Sequence, residues 1–341
     1  MDPQAVAPDS PPESIHFIPP SIHPHAIASG SSYLHLSPIP PALLTPSLPT
    51  DASSLPPCAI GIDEAGRGPV LGPMVYGAFF LPLAQSDSLL RHPNHRFDDS
   101  KILSPAVRAS LVRLLCDPSS ALHASCGWAV SSLSARDIAA GMLRSVAPYN
   151  LNSQAFDATV DLIRAIYAQG INVHHIFVDT VGQPASYQAR LQRVFPTARI
   201  TVAKKADSLY PCVSAASVCA KVTRDVALDL LYRSRIPPSE RHASDEPAWG
   251  SGYPSDARCV SWLKQNMHPV FGWGPECRFS WSTARDMLQE KKDAIKVDWP
   301  PDNDDHDSVT RMTDFFITAT KPQDTNELTT WFGTPAGLEA F

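Results

Sequence analysis

Four carboxylates, at three places in the 341-residue chain, have the makings of a single reactive site. Asp63 and Glu64 stand side by side in the apolar, glycine-rich run CAIGIDEAGRGPVLGPM, which begins at Cys58. Asp179 ends the run VHHIFVD, and Asp207 follows ARITVAKKA. Carboxylates gathered in an apolar setting repel one another and resist ionisation unless a cation joins them. A donor set of hard oxygens without His or Cys suits Mg2+ or Mn2+. Two such ions about 4 Å apart can activate water and stabilise the leaving oxygen in phosphodiester cleavage. The competing reading makes each Asp a helix or turn cap. It serves Asp207 alone, before SLYP, better than it serves all three places together.

The elements that must position these acids can be read from periodicity and turn signals. CAIGIDEAG reads as a buried strand closed by a glycine turn, and VLGPMVYGAFFL (70–81) as its hairpin partner. SCGWAVSSL, VHHIFVDTVG and ARITVAKKAD read as three more strands, the last ending near Asp207. SPAVRASLVRLLCD offers Ser104 as cap and Pro105 in the first turn of a helix. Residues 152–170 place apolar side chains at helical spacing before a glycine stop. PASYQARLQRVF, YPCVSAASVCAKVTRDVALDLLYR, 256–266 and 281–291 read as helices too. The order predicts an α/β domain with a mixed five-stranded sheet. In such sheets sites lie beyond the carboxyl ends of the strands, where these acids fall. Neighbouring strand residues face opposite ways, so Asp63 and Glu64 share a site only if the strand ends or bulges there. Gly66 and Gly68 permit that.

Composition bounds the rest. A hydrophobic content of 43% allows a sizeable core. No window has the roughly 18 uninterrupted apolar residues of a membrane span. The first ten residues, MDPQAVAPDS, lack the marks of a secretory signal. Seven cysteines, with no C-x-x-C pair, fit a reducing compartment without structural zinc. The net charge of −6 hides a gradient: residues 1–57 have four acids and no Lys or Arg, residues 290–341 are at −6, and 58–289 are at +4. That basic centre leaves a nucleic-acid partner open. Residues 1–57 also hold 14 of the 34 prolines, and are predicted to be a disordered or loosely attached arm. Gly61 and Gly66 have phosphate-loop spacing, but Arg67 and Gly68 stand where Lys and Ser/Thr are needed. The two acids would also repel a phosphate, so a nucleotide cradle is disfavoured.

GIDEAGRGPVLGPMVYGA, DDSKILS, YNLNS, IFVDTVG, KKADSLYPCVSAASVCAKVTRD and GSGYPSD, taken in order over about 58–290, resemble the type 2 ribonuclease H (ribonuclease HII) family, its eukaryotic catalytic subunits in particular. The resemblance implies an RNase H-like mixed sheet with flanking helices at 58–233, a small helical C-terminal subdomain at 234–290, and an acidic tail at 291–341. It implies an endonuclease that cuts RNA in RNA–DNA hybrids and single ribonucleotides in duplex DNA, on the 5′ side, leaving 3′-hydroxyl and 5′-phosphate ends. Asp63, Glu64, Asp179 and Asp207 correspond to the family's metal-binding catalytic tetrad, for two Mg2+ or Mn2+ ions. Gly66, Arg67 and Gly68 correspond to the reader of the ribonucleotide, whose 2′-hydroxyl distinguishes RNA from DNA. Tyr253 corresponds to the tyrosine near the RNA–DNA junction sugar. Lys101, Asn150 and Lys204 or Lys205 are candidate substrate contacts. Accessory subunits B and C, a nuclear location, and roles in ribonucleotide removal and primer clearance are implied as well. In the tail, Met312, Phe315 and Phe316 have the spacing of a peptide for the sliding clamp PCNA, without its usual leading Gln; docking on an accessory subunit is the other reading. A non-catalytic binding subunit is the alternative from a different class, and the complete tetrad argues against it.

Overall fold

The computed structural model describes residues 17–44, 55–92, 95, 97, 103–145, 147–180, 182–236 and 247–290. Lys101 and the tail residues Met312, Phe315 and Phe316 lie outside them.

Six strands form one sheet: β1 (Tyr33–Leu36), β2 (Cys58–Ala65), β3 (Met74–Pro82), β4 (Gly127–Leu133), β5 (Val173–Asp179) and β6 (Arg199–Ala203). Their order is β1-β4-β3-β2-β5-β6. The β1–β4, β4–β3 and β3–β2 pairs are antiparallel; β2–β5 and β5–β6 are parallel. The sheet is therefore mixed, as expected, but has six strands instead of five. The sixth comes from the arm predicted to be loose. Helix α1 (Pro24–Ala28) and β1 pack onto the domain, with Ile22, Ile27 and Leu43 buried. Ser32 donates from its backbone N–H and its hydroxyl to Asp137, at 2.9 and 2.7 Å. The prolines flank this strand and leave its ladder intact, while four residues are too few to show a period.

The other helices are α2 (Ser86–Leu90), α3 (Pro105–Cys116), α4 (Ala121–Ser125), α5 (Ala135–Met142), α6 (Leu151–Ala168), α7 (Pro184–Val194), α8 (Ala206–Leu209), α9 (Pro211–Arg235), α10 (Ala257–Gln265) and α11 (Ser282–Glu290). Among these described helices none is long and apolar enough to cross a membrane. The Ser104 hydroxyl accepts the Val107 N–H at 3.3 Å, so α3 starts as its sequence says, a cap worth about 1 kcal/mol.

Alternation along β2 builds two cores. Ile60 and Ile62 face α6 and pack with Phe156 and Ile163; Ala59 and Ala65 face α3 and α9. On that second face α9 lies almost directly on the sheet. A Cβ at Gly61 would stand 2.2 Å from the Cys212 carbonyl carbon, and one at Gly77 would stand 2.4 Å from the Ala216 oxygen. The small residues of α9 and the glycines of β2 and β3 are two halves of one contact. Cys212 and Cys219 are buried packing residues within it. A third core, around Trp249, Trp262 and Leu263, ties α10 and α11 to α1 and to the far half of α9.

Candidate active site

The four acids meet where β2 outruns its parallel neighbour. The β2–β5 register ends at Ile62↔Val178, whereas β2 continues beside β3 through Asp63↔Gly77, Glu64↔Tyr76 and Ala65↔Val75. No bulge turns Asp63 and Glu64 to the same side. Asp63 follows the α9 face and hydrogen-bonds to Ser217; Glu64 follows the opposite face. Past the last β5 pair that edge of β2 is open, and the two carboxylates approach one site from its two faces. Asp179, the last residue of β5, accepts the Ala206 N–H at 2.8 Å. That bond ties the strand end to the turn bearing Asp207.

Asp207 does not end a strand. β6 stops at Ala203; Lys205 then takes a left-handed conformation, φ 57°, and Asp207 lies in the single turn of α8, buried. Left-handed backbone is uncommon outside glycine, and here it swings the chain back over the sheet end. Apolar periodicity could place Asp207 near the site but not describe this reversal.

Burial and mutual repulsion govern the electrostatics. Asp63 is pushed up to about 8 by desolvation first, then by Glu64 and Asp179. Glu64 is pushed up to about 7 by desolvation, with Asp179 and Asp207 adding to the rise and Arg67 opposing it. Among the described residues no three such groups are already drawn together as ligands of one ion. Even so, an all-oxygen set of mutually repelling carboxylates fits a hard divalent cation, which would relieve the repulsion. His174 and His175 are not part of it. His175 stacks on Phe177 at 3.9 Å and hydrogen-bonds Thr201 at 2.9 Å.

Two hollows flank Glu64. The larger, about 460 Å³, is lined by Glu64, the Gly66-Arg67-Gly68 loop and Tyr253, with Arg108, Lys221 and Arg224 adding positive charge. The smaller, about 120 Å³, lies between Glu64, Asp179, Asn152 and Arg190. Arg67 borders both and hydrogen-bonds Asn152. Gly66 has φ 77°, and a Cβ there would stand 2.7 Å from the Pro73 oxygen, so the loop needs glycine for conformation and for space. The Arg224 guanidinium lies 5.7 Å from the centre of the Tyr253 ring and donates to the Ser251 carbonyl at 2.5 Å.

Of the other sequence candidates, Asn150 caps α6, accepting the Ser153 N–H at 3.0 Å, while Asn152 two residues on reaches the site. Lys204 and Lys205 are exposed on the turn before α8 and line neither hollow. Sequence reasoning passed over Arg108, Lys221, Arg224 and Arg278. Lys221 and Arg224 had a signal, two cations at i, i+3 directly after the small and apolar first half of a helix. Arg278 had none. It is fully buried, and its guanidinium donates to the carbonyls of Gly66, Arg67 and Gly72 at 2.6, 2.9 and 3.0 Å. Burial lowers its pKa, to about 9, which leaves it charged at neutral pH.

Comparison with known proteins agrees with this arrangement. The model of the family described as Ribonuclease HII matches residues 60–284. The chain is 58% identical over 330 residues to a ribonuclease H2 subunit of Neurospora crassa, covering 95% of this chain and 97% of that one. It is 42% identical over 262 residues to the corresponding human ribonuclease H2 subunit, covering 76% and 82% of the two chains. Among solved structures it is similar to ribonuclease H2 from Pyrococcus horikoshii, with TM-score 0.53, 28% identity, and coverage of 68% of this chain and 97% of that one. It is also similar to the ribonuclease HII in a complex with PCNA from Archaeoglobus fulgidus, with TM-score 0.54, 25% identity, and coverage of 69% and 98%. The four acids and the glycine loop fall within the matched span, and on these grounds the chain belongs to the ribonuclease HII family.

Proposed function

We propose that this chain is the catalytic subunit of a multi-subunit endoribonuclease that cuts RNA in RNA–DNA hybrids and single ribonucleotides in duplex DNA, on the 5′ side of the ribonucleotide. The observation that carries the reading is the meeting of Asp63, Glu64, Asp179 and Asp207 beside a glycine loop in a cation-lined cleft. Those four residues would hold the divalent cation, two ions in this reading. When bound, such ions supply charge compensation and water activation for phosphodiester hydrolysis. The chain itself binds and orients. Arg67 takes a backbone phosphate in reach of Glu64, Gly66 and Gly68 admit the ribose without a side chain in the way, and Tyr253 packs against the sugar. Water oxygen bonds to phosphorus as the bond to the 3′-oxygen breaks, leaving a 3′-hydroxyl and a 5′-phosphate.

The Neurospora and human relatives are each named as one subunit of ribonuclease H2, which supports an assembly with accessory subunits, B and C in this reading. The PCNA complex of the Archaeoglobus protein supports reading Met312, Phe315 and Phe316 as a clamp-binding segment. In this reading the work is ribonucleotide removal and primer clearance, and a substrate embedded in replicated DNA supports a nuclear location for it.

Two duplexes that differ only in one 2′-hydroxyl test the reading. The expected result is a single cut 5′ to the ribonucleotide and none in the all-DNA duplex; equal cutting of both would overturn it. The cleft cations make a separate prediction. Lys221→Gln should weaken duplex binding regardless of sequence and flatten the slope of log affinity against log salt by about 0.9. An unchanged slope would remove Lys221 from the phosphate contacts.

A further inference from the structure

We propose that Arg278, with Trp281 beside it, is a positioning residue for ribose recognition: it holds back the carbonyls of the Gly66-Arg67-Gly68 loop and so turns the Arg67 and Gly68 amides toward the cleft. The proposal rests on the ribonuclease reading above.

In a planar trans peptide the carbonyl of one residue and the N–H of the next point in opposite directions. Arg278 takes the Gly66 carbonyl at 2.6 Å and the Arg67 carbonyl at 2.9 Å. The N–H groups on the far side of those two peptides belong to Arg67 and Gly68. Both residues line the cleft, and among the described residues neither amide donates to a protein acceptor. Two such amides turned to one cleft are a donor pair awaiting an acceptor oxygen. The next carbonyl in the loop, that of Gly68, accepts the Trp281 indole N–H at 3.0 Å, and the Trp281 ring lies 4.8 Å from the Arg278 guanidinium.

Arg278 is suited to nothing else visible. Among the described residues no carboxylate pairs with it, although it is fully buried. A buried cation is costly unless its hydrogens are taken up, and here backbone carbonyls take them. Its own N–H donates to the Val70 carbonyl at 2.9 Å, and the Gly72 N–H donates to the Glu276 carbonyl at 2.8 Å, so its segment is laced to the loop on both sides. Arg is required by geometry: a planar fork can serve three divergent carbonyls, whereas an ammonium is a single point. The loop that reads the substrate is thus set from a segment 211 residues later in the chain.

The test uses the full-length chain with Asp63→Asn, so that binding is read without cleavage, and two duplexes differing in one 2′-hydroxyl. This background should bind the ribonucleotide duplex more tightly than the all-DNA duplex. Adding Arg278→Lys, which keeps the charge and loses the fork, should cut that ratio at least fivefold while all-DNA affinity stays within about twofold. A retained ratio would overturn the proposal, as would affinities for both duplexes falling together, the mark of a merely structural role. Equal affinities in the background itself would overturn it too. Should Arg278→Lys fail to fold, Trp281→Phe decides: it removes one donor and should reduce the ratio at least twofold, and an unchanged ratio would overturn the clamp. Cleavage by the unsubstituted chain tests the ribonuclease reading independently, so the two failures are distinguishable.

Discussion

Asp63→Asn should abolish cleavage, by on the order of a thousandfold or more, and at the same time make the cation-free protein more stable. Removing a single stabiliser of transition-state charge already costs about 100- to 1,000-fold in other enzymes. In the proposed mechanism Asp63 would hold the ion that supplies such stabilisation, and Asn at its place lacks the charge. Duplex binding should change little, because the cleft cations are untouched. The stability gain follows from the raised pKa. A carboxyl whose folded value, about 8, exceeds its ordinary value of 3.8 opposes folding increasingly as pH rises between the two. The neutral amide is free of that cost. Asn should therefore raise stability by about 1–3 kcal/mol at pH 7, and not at all below pH 4. Melting curves at pH 4 and pH 7, alongside a cleavage assay, check both halves. Near-normal turnover would sink the tetrad assignment; a loss of stability at pH 7 would sink the electrostatic account.

The second large effect is structural. Gly61→Ala should cost at least about 3 kcal/mol, a fall in Tm on the order of 10 °C, and take activity with it. Its Cβ would meet three backbone atoms of Cys212 and Val213 at 2.2–2.5 Å, and none of them is the yielding end of a side chain. Helix α9 would have to lift off the sheet, and it carries Ser217 against Asp63 as well as Lys221 and Arg224 of the cleft. Gly170→Ala is the contrast. It also departs from glycine, at φ 79°, but nothing lies within 4 Å, so only the backbone strain of about 1 kcal/mol applies. Equal melting temperatures for the two variants would contradict the packing argument.

Where function depends on local pattern, the sequence was readable. An apolar run with two acids at its end, a glycine turn behind it, and a long helix of small residues are each written within a few turns of chain. Their placement followed from period and turn chemistry. What could not be read depends on long-range contact. Arg278 is an arginine in CRFSW until the fold brings it under the glycine loop. Asn150 and Asn152 are indistinguishable until the helix start assigns one to the cap and the other to the site. The strand at Tyr33–Leu36 exists because β4 offers an unpaired edge, not because its four residues insist on it. The meeting of Asp63 and Glu64 needed neither a strand end nor a bulge. It needed a neighbouring strand that pairs no further than Val178.

In the proposed mechanism these four acids make phosphodiester cleavage dependent on a divalent cation. That dependence is tested most directly by cleavage of a duplex carrying one ribonucleotide, followed with Mg2+ present, after chelation, and after Mg2+ is restored. Cutting 5′ to the ribonucleotide is expected with Mg2+, disappearing on chelation and returning in full with the ion. Undiminished cutting in the chelated sample would contradict that dependence.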